Sequence, residues 1–209
     1  MDYVTADLHF GHARIIEFER HQFRTIEEHD SRIIRALNSV LKPNDTLYIL
    51  GDVGFREKEG GLASLKSKLS RIECHRKILV MGNHDRFSAI EAMGLGFDEV
   101  YKGPIYYPSS AVPGRIILSH RPVFEAYDNP YVINVHGHIH NGEIDAKGYY
   151  NVNIHMTRYH VHPMSQFEKI AKKLKSRDER YGSEWYAEFE KKTPQKPIEK
   201  PETEEYNDD

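Results

Sequence analysis

Three short apolar runs, Tyr3–Ala6, Thr46–Leu50 and Lys77–Met81, each stop at a polar signal: Asp7-Leu8-His9, Gly51-Asp52 and Gly82-Asn83-His84-Asp85. Brief apolar, β-prone segments bounded by Gly and Asp read as strands that end at a loop. Between the first two runs, Thr25 with Glu28 three residues on reads as a capping box, and Ile33, Ile34, Leu37, Val40 and Leu41 follow at helical spacing. Leu62, Leu65, Leu69 and Ile72 share one helical face before the third run. The first half is therefore βαβαβ, and the chain is of the α/β class.

The second half has another rhythm. Glu99–Tyr101, Ile105–Tyr107, Arg115–Ser119, Val132–Val135 and Tyr149–Ile154 are short strand candidates separated by Gly, Pro, Asn and Asp, which suggests a second sheet packed on the first. Met164–Leu174 and Asp178–Lys192 read as helices; in the latter, Tyr181, Trp185 and Phe189 recur every fourth residue, as a stripe that packs on a domain does. From Thr193 onward, prolines and dense charge cannot supply a core. Residues 1–192 are expected to form one domain and residues 193–209 an acidic, proline-rich disordered tail.

Composition narrows the function classes. With 209 residues and 39% hydrophobic side chains, the chain can bury a core, and no apolar run reaches the roughly 20 residues of a membrane span. Asp2, Asp7 and His9 stand where a signal peptide would be apolar, and Cys74 is the one cysteine, so a cytoplasmic location without disulfides is expected. The formal charge of -3 is concentrated at the end: the tail holds two lysines against six acids, leaving residues 1–192 with 27 basic and 26 acidic side chains. A body so near neutrality has no basic surplus for binding long nucleic acid.

Two further motifs, Ser119-His120 and Gly137-His138-Ile139-His140, also sit where strands are expected to end, the position at which open α/β sheets collect ligands. Among the residues of the five motifs, Asp7, Asp52, Asn83, His9, His120, His138 and His140 supply two carboxylates, one amide and four imidazoles, a donor inventory for two borderline divalent cations. They include no thiolate, which excludes a closed structural zinc site of the cysteine type. His138 and His140, two apart, face one side of a strand end, and the two oxygens of Asp52 suit it to bridging a pair of ions. Such a pair activates water and stabilises an in-line displacement at phosphorus, so the chemistry points to phosphoester hydrolysis.

In this order the motifs resemble those of the calcineurin-like metallophosphoesterases: Asp-x-His, Gly-Asp, Gly-Asn-His-Asp or Glu, a single His, and Gly-His-x-His. The Asp7–His12 opening, Asp-x-His-Phe-Gly-His, resembles the small bacterial and phage members. The resemblance implies a four-layer αββα sandwich of two mixed sheets. It implies one metal on Asp7, His9, Asp52 and His140, a second on Asp52, Asn83, His120 and His138, and His84 as the acid that contacts phosphate and protonates the leaving oxygen. The metals implied are Mn, Fe, Ni, Co or Zn, with Mn favoured. Purple acid phosphatases carry a tyrosine where this chain has Phe55, so no tyrosinate ligand is expected.

Other polar residues have two readings each. His12 lines the substrate pocket or supports a ligand from behind; Arg14 and Arg56 pair with a phosphate oxygen or stand in solvent. Asp85 reads first as a cap or turn carboxylate, and His136, His155, His160 and His162 as structural. The function expected is phosphodiester hydrolysis of a small or nucleotide-like ester by attack of a metal-bridging hydroxide, with His84 as general acid. The alternatives are a phosphomonoesterase, a nuclease of the recombination-repair type, and, in a different class, a noncatalytic metal-binding scaffold, which would be expected to lack His84.

Overall fold

The computed structural model describes residues 1–18, 23–55, 61–127, 129–140, 142, 144, 146–174 and 197–198. The helix expected over 178–192 and Arg56 lie outside the described residues, as does the tail apart from Pro197 and Ile198. In chain order the elements are β1 (Asp2–Thr5), α1 (Ile15–Phe18), α2 (Ile26–Asn38), β2 (Thr46–Ile49), α3 (Gly61–Leu69), β3 (Arg76–Val80), α4 (Ala89–Gly94) and β4 (Glu99–Tyr101). There follow β5 (Ile105–Tyr106), β6 (Ile116–Ser119), β7 (Ile133–His136), β8 (Tyr149–Asn151), β9 (His162–Pro163) and α5 (Met164–Lys172).

Two mixed sheets result. The first has the order β4-β3-β2-β1-β9, with β1 to β4 parallel and β9 antiparallel to β1. The second has the order β5-β6-β7-β8, parallel except for β5. Alternate residues of the first sheet serve two cores. Tyr3, Leu47, Ile49 and Leu79 meet Ile33, Leu37, Leu65 and Leu69 of α2 and α3, whereas Val4, Tyr48, Ile78 and Val80 join Ile116, Leu118, Ile133 and Val135 of the second sheet. Burial on both faces is why these strands read as continuous apolar runs. At ~1.5–3 kcal/mol per buried large apolar side chain, this inter-sheet layer is what holds the second sheet against the first.

Local signals behave as their chemistry requires, with shifts at the edges. Thr25 caps α2 by accepting the Glu28 N–H, but the Glu28 carboxylate accepts from Arg24 rather than returning to Thr25. A full capping box, Ser88 with Glu91, starts α4, an element that the apolar pattern alone did not suggest. The strand expected over Tyr149–Ile154 ends at Asn151, after which Asn153 bridges to Ala6 and links the ends of the two sheets. The two-residue β9 is too short to leave a periodic signature. Ile198 is half-buried, its N–H donating to the Val100 carbonyl at 3.0 Å. No helix among the described residues is long and apolar enough to cross a membrane.

Candidate metal centre

The loops after β1 and β2 run side by side. Asp7, His9 and Phe10 donate backbone N–H groups to the carbonyls of Gly51, Asp52 and Val53 at 2.9–3.1 Å. Within these loops Asp7, His9 and Asp52 hold φ of 57°, 47° and 50°, and His138 on the loop after β7 holds 70°. Non-glycine residues enter the left-handed region at a cost of about 1–3 kcal/mol each when the surroundings over-determine them, and such strain gathers at functional sites. Here it turns four side chains at three strand ends toward one point.

Glycine makes the approach possible. A Cβ on Gly51, whose φ is 77°, would lie 2.6 Å from the backbone of Gly82 and from His120 Nδ1. A Cβ on Gly137 would meet the Asp7 carboxylate and Ala6. Asp85 then ties two loops together: its carboxylate accepts the N–H groups of Asp52 at 3.0 Å, Val53 at 2.9 Å and Gly82 at 2.8 Å. It is a turn carboxylate that spans two strand ends, and burial pushes its carboxyl up to about 6 despite those donors.

Two donor groups face each other across Asp52. Asp7, His9 and His140 offer ligand atoms within 4.8 Å of one another, and so do Asp52, His120 and His138. Between the groups, Asp52 Oδ2 lies 3.9 Å from His9 Nε2 and Asp52 Oδ1 lies 3.5 Å from His120 Nε2. Asn83 Oδ1, 2.9 Å from His120 Nε2, joins the second group, and His138 Nδ1 is 3.2 Å from the same nitrogen. His120 Nδ1 donates to the Leu50 carbonyl at 2.9 Å, which leaves Nε2 as the lone-pair nitrogen facing the centre.

The electrostatics suit cations. Asp7 and Asp52 are buried, and among the described residues neither has a Lys or Arg partner. Burial drives the Asp7 carboxyl well above the usual carboxylate range, opposed by His140 and reinforced by Asp52. Burial also holds His9 well below the imidazole range, with His140 adding to the effect, and lowers His120 and His138. Neutral imidazoles beside buried carboxylates are donors in need of positive charge, and the set fits two borderline divalent ions.

Around this centre stand the other expected residues. His84 is half-buried; its backbone N–H donates to Asp52 Oδ1 at 2.9 Å, and its ring lies 6.0 Å from His9 and 5.4 Å from Phe55. His12 stacks on Phe55 at 4.1 Å, so the two form an aromatic wall beside His84. Arg14 is exposed on the turn entering α1, its charge bearing on His12. The apolar pattern offered no reason to single out Asn153, which hydrogen-bonds Asp7 and lies with Nδ2 3.4 Å from His140 Nδ1. His155 stacks over His9 at 6.4 Å. The polar alternation Asn151, Asn153, His155 was the available signal.

The sequence profile of the calcineurin-like phosphoesterases matches residues 3–201. The chain belongs to that family. As a calcineurin-like phosphoesterase it is a phosphoester hydrolase, and its two mixed sheets are those of the fold. The gene 66 protein of Mycobacterium phage L5 is 39% identical over 83 residues, a match that spans only 39% of the phage protein and 40% of this chain. An uncharacterized protein of Methanocaldococcus jannaschii is 27% identical over 71% of this chain and 74% of its own length. Among solved structures, a protein of unknown function from Aquifex aeolicus superposes with a TM-score of 0.59 at 29% identity, covering 81% of this phosphoesterase and 98% of that chain.

Proposed function

We propose that the chain is a dinuclear metal-dependent phosphodiesterase acting on a small or nucleotide-like phosphoester. The observation that carries this reading is Asp52, whose two oxygens face His9 of one donor group and His120 of the other. Asp7, His9, Asp52 and His140 would hold one ion, and Asp52, Asn83, His120 and His138 the second, with manganese favoured among Mn, Fe, Co, Ni and Zn. When bound, such a pair polarises phosphoryl oxygens and lowers the pKa of water.

The chain's own residues supply the rest. Asp7 and Asp52 bring the negative charge that retains the ions, while His120 is held in one tautomer by Leu50. Asp85 keeps the Asp52 and Asn83 loops in register. His84 gives its proton to the leaving oxygen, and its main chain is tethered to Asp52 so that the acid and the bridging carboxylate keep a constant offset. This acid matters most for an alkyl ester, whose leaving group would otherwise depart as a poorly stabilised alkoxide.

Hydrolysis of bis(p-nitrophenyl) phosphate and p-nitrophenyl phosphate, with Mn, Ni or Zn added and the metal content of the purified protein measured, tests the reading. The expected result is metal-dependent turnover with the diester preferred. Absence of turnover with every metal, or full activity in Asp52→Asn, overturns it.

A further inference from the structure

A cleft of about 420 Å³ opens directly beside the second donor group, since Asn83 and His120 both line it. Its remaining lining includes the apolar side chains Met81 and Val123 and two cations, Lys102 and Arg121. The cations come from different sheets: Lys102 directly follows β4 at the edge of the first, and Arg121 follows β6 of the second. Both are solvent-exposed, and among the described residues neither forms an ion pair with an acid.

The loops that carry them are anchored. Met81 donates its N–H to the Tyr101 carbonyl at 2.8 Å, which fixes the chain just before Lys102. The Ser119 hydroxyl donates to the Arg121 carbonyl at 2.7 Å, and the Val123 N–H donates to Asn134 Oδ1 at 2.9 Å, so Arg121 is tethered on both sides. Two positive charges brought to one partly apolar cleft from different sheets are suited to an anion attached to an organic body, and the volume lies toward the lower end of small-molecule pockets. A lone inorganic anion would make no use of Met81 and Val123.

We propose that this cleft is a subsite for a second phosphate carried by a nucleotide-sized substrate, with Lys102 and Arg121 as its specificity determinants. The inference rests on the phosphodiesterase reading above. It makes the preferred ester a nucleoside phosphodiester that bears one more phosphate on its sugar, rather than a diester whose only charge is that of the scissile phosphate, or a long strand.

The test compares a nucleoside p-nitrophenyl phosphodiester with the same compound phosphorylated at a second sugar position. The leaving group is identical, so the ratio of kcat/KM values reports the subsite alone. About a tenfold preference for the second phosphate is expected, equivalent to about 1.4 kcal/mol, the scale of two exposed charge pairs. The preference shrinks as ionic strength rises. In the Lys102→Gln/Arg121→Gln protein the ratio falls to about one, and Lys102→Arg retains it. Titration calorimetry with a nucleoside bisphosphate and the corresponding monophosphate reads the same ratio without turnover. Hydrolysis of neither ester would therefore overturn the phosphodiesterase reading while the subsite is still decided by binding. A ratio of one in the unaltered protein, a preference that survives the double substitution, or affinity that keeps rising with oligonucleotide length overturns the proposal.

Discussion

The two sheets contribute unequally to the centre. From the first come both buried carboxylates, Asp7 and Asp52, together with His9, all three in left-handed backbone and cross-tied by main-chain hydrogen bonds and by Asp85. From the second come imidazoles: His120 is buried, His138 and His140 are half-buried, and only His138 has positive φ. Negative charge is thus placed where the backbone is most constrained, and neutral donors close over it from a sheet held in place by apolar packing. A buried carboxylate that wanders leaves an uncompensated charge, whereas an imidazole that shifts forfeits one bond, so rigidity matters more on the first side.

The largest test of that asymmetry exchanges one donor from each side. Asp52→Asn is expected to lose both ions and bring hydrolysis to background, while His138→Ala keeps one ion; elemental analysis should return stoichiometries of about zero and about one. Equal losses would mean the two sides hold the metals equivalently.

Next in size is His84→Ala. Turnover of an alkyl diester should fall by about 10²–10⁴, the range for a general acid, and turnover of a p-nitrophenyl diester by less, because nitrophenolate leaves without a proton. The same loss with both leaving groups would assign His84 to binding instead.

Asp85→Asn keeps the size of the side chain but replaces one acceptor oxygen with an amide that cannot accept from Asp52, Val53 and Gly82 together. Metal affinity should weaken by about 10–100-fold, the usual scale for residues that orient ligands, with the fold retained by circular dichroism.

The smallest effect lies away from the centre, at His162 on β9. Burial pushes its imidazole below its ordinary value of 6.5, with Gln166 opposing and His160 adding. Because the folded state resists a proton that the unfolded chain accepts, its contribution is complete above pH 6.5 and is lost as pH falls through the folded value. Denaturant midpoints of His162→Gln should therefore decline less steeply than those of the unaltered protein on acidification below pH 6.5.

Much of this was legible in the chain. The apolar runs located β1, β2 and β3 because a strand buried on both faces needs no alternation, and their polar ends located Asp7, His9, Asp52 and Asn83. Supporting residues were harder to find. Asn153 and His155 stand in a segment whose apolar pattern resembles another strand, and nothing in that pattern reveals that it turns back under His140 and His9. Asp85 reads as an ordinary turn residue until the loop containing Asp52, 33 positions away, is beside it.

By itself the sequence determined which chemical groups stand at strand ends, because secondary structure follows local periodicity and the Gly, Asp and His punctuation is local too. Only the tertiary structure decided how those groups pair. Whether Asp52 meets both His9 and His120 depends on the inter-sheet core of Val4, Val80, Leu118 and Val135, and on Gly51, Gly82 and Gly137, which let loops distant in sequence touch. The cleft between Lys102 and Arg121 depends on that same packing, since its two charges belong to different sheets and share no local signal.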